Sequence, residues 1–121
     1  LLKKELPVCD FTISADSGFP SSKMHFLSGG YTKFTDLKNK NKNLKTLLAI
    51  GGWNEGSSRF SKLVASKSKR TAFAKNVAKF LRQNDFDGLD INWQYPTFRS
   101  GDADDKDNFV LLIKVSLLSR D

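Results

Sequence analysis

Residues 44–52, "LKTLLAIGG", form a nearly continuous apolar run closed by two glycines. Such a run fits a strand covered on both faces, as strands are in a parallel sheet. Working outward, the chain alternates between strand and helix. Upstream, "VCDFTIS" (8–14) sets Cys9, Phe11 and Ile13 on one face of a short strand, and a Gly, Ser and Pro-rich loop follows. Tyr31, Phe34 and Leu37 then recur at helical spacing until "KNKNKN" ends the pattern. Downstream, a short helix is expected over 57–65. Ser68 is a good N-cap for a longer one that buries Phe73, Val77, Phe80 and Leu81 and stops at Asn84. "FDGLDINW" (86–93) reads as another strand, and Pro96, which lacks an N–H, halts it. Beyond an acidic loop containing Gly101, Asp104 or Asp105 can cap a last helix with Phe109, Leu112, Ile113 and Ser116 on one face.

Strand, helix, strand, helix, strand, helix is the order of parallel βαβ units, in an α/β chain that is either doubly wound or part of a (β/α)8 barrel. Three units make an incomplete barrel, since a closed one needs eight strands and about 250 residues. "GGW" after the run at 44–52 has neither the GxGxxG nor the GxxxxGK[ST] spacing, so a nucleotide-binding fold is unsupported.

The 121 residues amount to one domain or a piece of a larger one, and 39% hydrophobic content with ten Phe can furnish a core. No stretch approaches the roughly 18 to 20 apolar residues of a membrane span, and "LLKKELPVCDF" is not a signal peptide. The net charge is +7, with thirteen Lys and Arg between Lys33 and Arg82 against only Asp36 and Glu55. These lysines occupy the polar positions of amphipathic helices, so solvated helix faces are the preferred reading over a surface for an acidic polymer. No RNP, zinc-finger or helix-turn-helix pattern points to nucleic acid. Cys9 has no internal partner, and His25 is the only histidine, so neither a metal site nor a His-based triad is expected, and no cofactor.

Chemistry concentrates in "FDGLDINWQYP" (86–96). Side chains alternate along a strand, so Asp90, Asn92 and Gln94 share one face while Leu89, Ile91 and Trp93 share the other. Asp87 is out of phase with that row and sits at the strand's entrance. Three polar side chains on an otherwise apolar strand are costly to bury unless they face a polar cavity, and in a barrel they would climb toward its C-terminal mouth. An edge strand with its polar face in water is the alternative that alternation alone leaves open.

"DGLDINWQYP" resembles the signature D-G-x-D-x-D-W-E-Y-P of glycoside hydrolase family 18, the chitinases and their non-catalytic relatives. "LKTLLAIGGWNEGSSRFSKLVA" resembles the other signature of that family, a strand ending in Gly-Gly-Trp. The resemblance is strongest over 29–118 and treats 1–121 as a partial catalytic-type domain, about three βα units of a (β/α)8 TIM barrel. It implies action on chitin or N-acetylglucosamine oligosaccharides, an extracellular location, and a substrate-assisted mechanism in which the sugar's own acetamido oxygen attacks C1. By that resemblance position 94 protonates the leaving oxygen, position 92 orients the acetamido group, Asp90 lies beneath them and Asp87 is mostly structural. The family's first strand commonly carries a cysteine that pairs with the one matching Cys9.

At those positions stand Gln94 and Asn92. An amide has no proton to release, and general acid catalysis is worth about 10² to 10⁴ in rate. Asn92 likewise carries no charge to stabilise a cationic oxazolinium. The resulting expectation is an inactive, chitin-binding homologue. A truncated gene product with no autonomous function and an engineered amide variant of a chitinase are the alternatives. Trp53 offers a flat apolar face for a sugar ring and is expected to face ligand, whereas Trp93 is expected to pack between sheet and helix. Gly51 and Gly52 are expected to allow close backbone approach at the cavity floor, and Tyr95 completes the substrate-binding set. Where family members usually carry Gly before the Phe of the signature, Asn84 and Asp85 stand here, so Asn or Asp must take a positive φ at this turn.

Overall fold

The computed structural model describes residues 30–118, so the strand expected over 8–14, with Cys9, and the loop bearing His25 lie outside the described residues. Strands β1 (Leu47–Gly51) and β2 (Gly88–Asn92) pair in parallel, in a register running from Leu47 opposite Gly88 to Gly51 opposite Asn92. A parallel pair needs a long crossover. Here it consists of a 3₁₀ turn (Trp53–Glu55), a short helix (Ser58–Val64) and a longer one (Lys67–Gln83). Numbering helices in chain order, α1 is Leu37–Lys40, α2 is Ser58–Val64, α3 is Lys67–Gln83 and α4 is Asp105–Leu118.

On β1, Leu48 and Ile50 point into the core and are buried, but Leu47 on the opposite face is 49% exposed. The expectation of a strand covered on both faces is therefore corrected: among the described residues, helices cover one side of the sheet only. The core joins Leu48 and Ile50 to Phe60 and Val64 of α2, to Phe73, Val77 and Phe80 of α3 and to Leu112 of α4, with Phe86 and Trp93 flanking the two ends of β2. Burying each such side chain stabilises the fold by about 1.5–3 kcal/mol. Tyr31 joins them edge-on to Phe80 and Phe86, with ring centroids 5.8 and 5.4 Å away.

Local departures from the sequence pattern have local causes. Residues 30–35 are helical, but a turn at Asp36 breaks the helix before α1, so Tyr31 is buried while Leu37 is left 42% exposed. The N-cap of α3 is Ser66 rather than Ser68: Ser66 has the extended backbone a cap requires, and its hydroxyl accepts the Lys69 N–H. Asn84 ends α3 as its C-cap, and Asp85 adopts φ 57°, the left-handed turn that the missing glycine called for. On α4 the expected stripe is narrower than predicted, with Leu112 fully buried and Ile113 at 36% exposure.

Candidate functional site

The C-terminal tips of the two strands are held side by side by glycine. Gly51 has φ 93°, and a Cβ there would lie 2.5 Å from the Asn92 carbonyl oxygen and 3.0 Å from the Phe60 ring. Gly52, at φ 108°, has open space around it and donates its N–H to the same Asn92 carbonyl at 2.8 Å. Gly51 thus serves close approach, whereas Gly52 serves backbone direction alone. Together they turn the chain so that Trp53 emerges at the tip of β1 beside the end of β2.

On β2 the predicted alternation holds. Asp90 and Asn92 are exposed on the open face of the sheet, while Leu89 and Ile91 are half-buried and Trp93 is buried toward the helices. Gln94 continues the polar row, and its Nε2 donates to Asn92 Oδ1 at 2.8 Å. Asp87 is not part of this group. It lies at the other end of the strand, roughly 16 Å from Asn92 at the usual rise per residue. There its Oδ2 accepts from the Thr46 backbone N–H (2.7 Å) and hydroxyl (3.2 Å), while the Asp87 N–H donates to the Thr46 carbonyl at 2.8 Å. Lys45 and Lys38 approach the same carboxylate at 3.3 and 3.5 Å. The Thr46 amide, against an opposing effect of burial and with help from the two lysines, holds the Asp87 carboxyl below its ordinary value. Lys38 is pushed above its ordinary value, because its contacts with Asp85 and Asp87 outweigh the burial that works in the other direction.

The two tryptophans have opposite environments. Trp93 stacks on Phe60 at 5.0 Å between centroids, meets Phe109 edge-on at 5.5 Å, and donates its indole N–H to Ser57 Oγ at 2.8 Å. Ser57 passes the connection on by donating to the Tyr95 carbonyl at 2.9 Å. Trp53, by contrast, is 60% exposed, and the guanidinium of Arg99 lies 3.9 Å from its ring centroid. Tyr95 is also exposed, following a cis peptide after Gln94.

Three residues of this neighbourhood escape a reading of the sequence. Ser57 looks like a helix-start serine but bonds across the sheet. Arg99 looks like loop charge but covers an aromatic ring. Asp105, read as a possible cap, is fully buried, and its Oδ2 accepts from the Ser61 hydroxyl (2.8 Å) and the backbone N–H groups of Asp102 (2.9 Å) and Thr97 (3.1 Å). A usable signal was Gly101, where a Cβ would lie 2.5 Å from that carboxylate oxygen.

Chemically, the open face and its tip offer one carboxylate, two amides that donate and accept neutral hydrogen bonds, and the exposed aromatic rings of Trp53 and Tyr95. Among the described residues no group of three or more His, Cys, Asp or Glu is placed to hold a metal ion, and no helix is long and apolar enough to cross a membrane.

Comparison with known proteins places these features in a family. The family model described as "Glycosyl hydrolases family 18" matches residues 8–116. "Probable chitinase 2" of Drosophila melanogaster is 52% identical over 92 residues, covering 76% of this chain and 19% of the fly protein. "Endochitinase" of Manduca sexta is 45% identical over 87 residues, covering 70% of this chain and 16% of that protein. Among solved structures, Ostrinia furnacalis Group IV chitinase in complex with allosamidin matches with a TM-score of 0.71 and 39% identity over 76% of this chain and 25% of that one. The chain thus spans about a fifth of the length of these curated relatives. The two described strands and their helices are an open α/β segment of the (β/α)8 barrel type.

These comparisons overturn one expectation. The inference from Gln94 and Asn92 to an inactive homologue is not supported, because the Drosophila, Manduca and Ostrinia proteins above are named chitinases. Its physical weakness is that it assigned a whole reaction to two side chains of one strand. The attacking oxygen in a substrate-assisted mechanism belongs to the sugar, and the matched region is a small share of the relatives' length.

Proposed function

The chain belongs to glycosyl hydrolases family 18, and on that premise we propose that the open face at the tips of β1 and β2 recognises chitin, the β-linked N-acetylglucosamine polymer, and its oligosaccharides. The observation that carries this reading is the hydrogen-bonded Asn92–Gln94 pair standing beside the exposed Trp53. In this reading Trp53 stacks on a sugar ring, and Tyr95 adds a second exposed aromatic at the same tip. Asn92 and Gln94 exchange hydrogen bonds with the acetamido and glycosidic oxygens, and Asp90 lies one step down the same face. Gly51 lets the two strand tips lie close together, and Gly52 turns the chain so that Trp53 is presented beside them. Asp87 works at the far end, holding the two strand entrances together. An extracellular location follows from the same proposal, since the polymer must be met where it is laid down.

Retention on chitin beads tests the reading, with the protein compared against Trp53→Ala and Asn92→Ala variants that keep its melting temperature. Elution of the parent protein in the unbound fraction, or equal retention of all three, would sink the proposal. Soluble oligosaccharide released from colloidal chitin, followed in the same samples, reports whether the bound polymer is also cut.

A further inference from the structure

We infer that Arg99 is a positioning residue for Trp53, fixing the indole so that only one of its faces is open to a sugar ring; the inference rests on the sugar-binding role proposed for Trp53. Arg99 Cζ lies 3.9 Å from the ring centroid, which is contact distance, so nothing else can occupy that face. The same guanidinium donates through Nη1 to the Trp53 carbonyl and, at 3.5 Å, to the Gln94 carbonyl. One planar cation therefore touches the backbone at the tip of β1, the backbone just past β2, and the aromatic ring between them.

The loop that presents Arg99 is itself held firmly. Thr97, Arg99 and Ser100 all adopt positive φ, at 72°, 55° and 66°. Residues outside glycine rarely take that conformation unless their surroundings impose it. Here the buried Asp105 carboxylate accepts the N–H groups of Thr97 and Asp102 on either side of the bend, and the Arg99 carbonyl accepts the Ser57 N–H at 3.3 Å. A flexible loop could not keep a guanidinium over one ring. This one is fastened at both ends and at its middle, so the contact is preorganised before any ligand arrives.

Lysine would not substitute. Its ammonium can sit over an aromatic face but lacks the planar fork that meets two carbonyls while stacking. What Arg99 does for recognition is directional: the sugar approaches Trp53 from the face opposite the guanidinium, and the indole loses little freedom on binding.

The test combines acrylamide quenching of tryptophan fluorescence with calorimetric titration of a chitin oligosaccharide into the protein and its Arg99→Ala, Arg99→Lys and Trp53→Ala variants. Trp93 is 6% exposed and contributes little to quenching, so the signal reports Trp53. In Arg99→Ala the quenching constant should rise about twofold, because a second ring face opens, and affinity should fall roughly three- to tenfold. Arg99→Lys, which keeps the charge and most of the stem, should lie between, and it serves as the readout if the alanine variant does not fold. Unchanged quenching in these variants, or unchanged affinity while Trp53→Ala loses binding, overturns the positioning role and leaves the sugar-binding reading intact. Full affinity in Trp53→Ala removes the sugar-binding role of that ring, and the inference falls with it.

Discussion

The side-chain nitrogen of Gln94 donates to the side-chain oxygen of Asn92 at 2.8 Å, so two residues on one strand face act as a single hydrogen-bonded unit. Losing either member frees the other. Truncating Asn92→Ala should weaken oligosaccharide binding about fivefold, the equivalent of one hydrogen bond worth about 1 kcal/mol. Calorimetric titration checks this, and an affinity equal to the parent's would show that the pair does not meet the sugar.

Replacing both amides by acids, Asn92→Asp with Gln94→Glu, puts two carboxylates at that same close spacing. Carboxylates so near share a proton, and one of the pair titrates above the ordinary carboxylate range. Ligand affinity should then acquire an additional pH-dependent step between roughly pH 4 and 7, which an amide pair cannot produce. Identical pH profiles for parent and double variant would refute the shared-proton geometry.

The two strand-end glycines should respond differently to the same change. Gly51→Ala forces a methyl to within 2.5 Å of the Asn92 carbonyl and 3.0 Å of the Phe60 ring, at φ 93°. Gly52→Ala meets no atom within 4 Å and carries only the conformational penalty of φ 108°. We expect a cost of about 1–3 kcal/mol for Gly52→Ala and a clearly larger one for Gly51→Ala, read from urea unfolding midpoints. Equal midpoints would mean that β1 and β2 can part at this end without loss.

Ser57→Ala leaves the buried indole N–H of Trp93 without its 2.8 Å acceptor. The expected loss of stability is about 1–3 kcal/mol. Adding Trp93→Phe removes the orphaned donor, so the double variant should be less destabilised than the sum of the two single changes. Strict additivity in chemical denaturation would contradict the coupling.

Acid should loosen the strand entrances through Asp87. Its carboxyl titrates below the unfolded value, chiefly because of the Thr46 amide and secondarily because of Lys45 and Lys38. The stability it contributes is therefore complete above the unfolded carboxylate value and disappears as the pH falls through the lower, folded one. Asp87→Asn should melt at a lower temperature than the parent at pH 7, and the gap should close toward pH 2. A gap that persists undiminished in acid would remove the carboxylate from the explanation.

Much of the site was readable in advance because its determinants are local. Alternation along β2 placed Asp90, Asn92 and Gln94 together and Trp93 on the opposite side, since a pleated strand leaves no other arrangement. The absence of glycine before Phe86 required Asn84 or Asp85 to take a positive φ, and only the structure assigns it to Asp85. The α3 cap was misplaced by two residues because Ser66 and Ser68 offer the same hydroxyl. Only the backbone angle at the true cap distinguishes them.

By itself, then, the sequence determined the order of strands and helices, the polar face of β2 and the glycine requirement at the tip of β1, all properties of residues within a few positions of one another. The tertiary structure alone decided that one face of β1 stays open and that Ser57 bridges Trp93 to Tyr95. It also decided that Asp105 braces the loop and that Arg99 closes over Trp53 from 46 residues away. The physical reason is that hydrophobic and turn patterns act through the local backbone. Which distant side chains meet depends on the parallel register and on the path of a loop, and neither leaves a periodic trace in the chain.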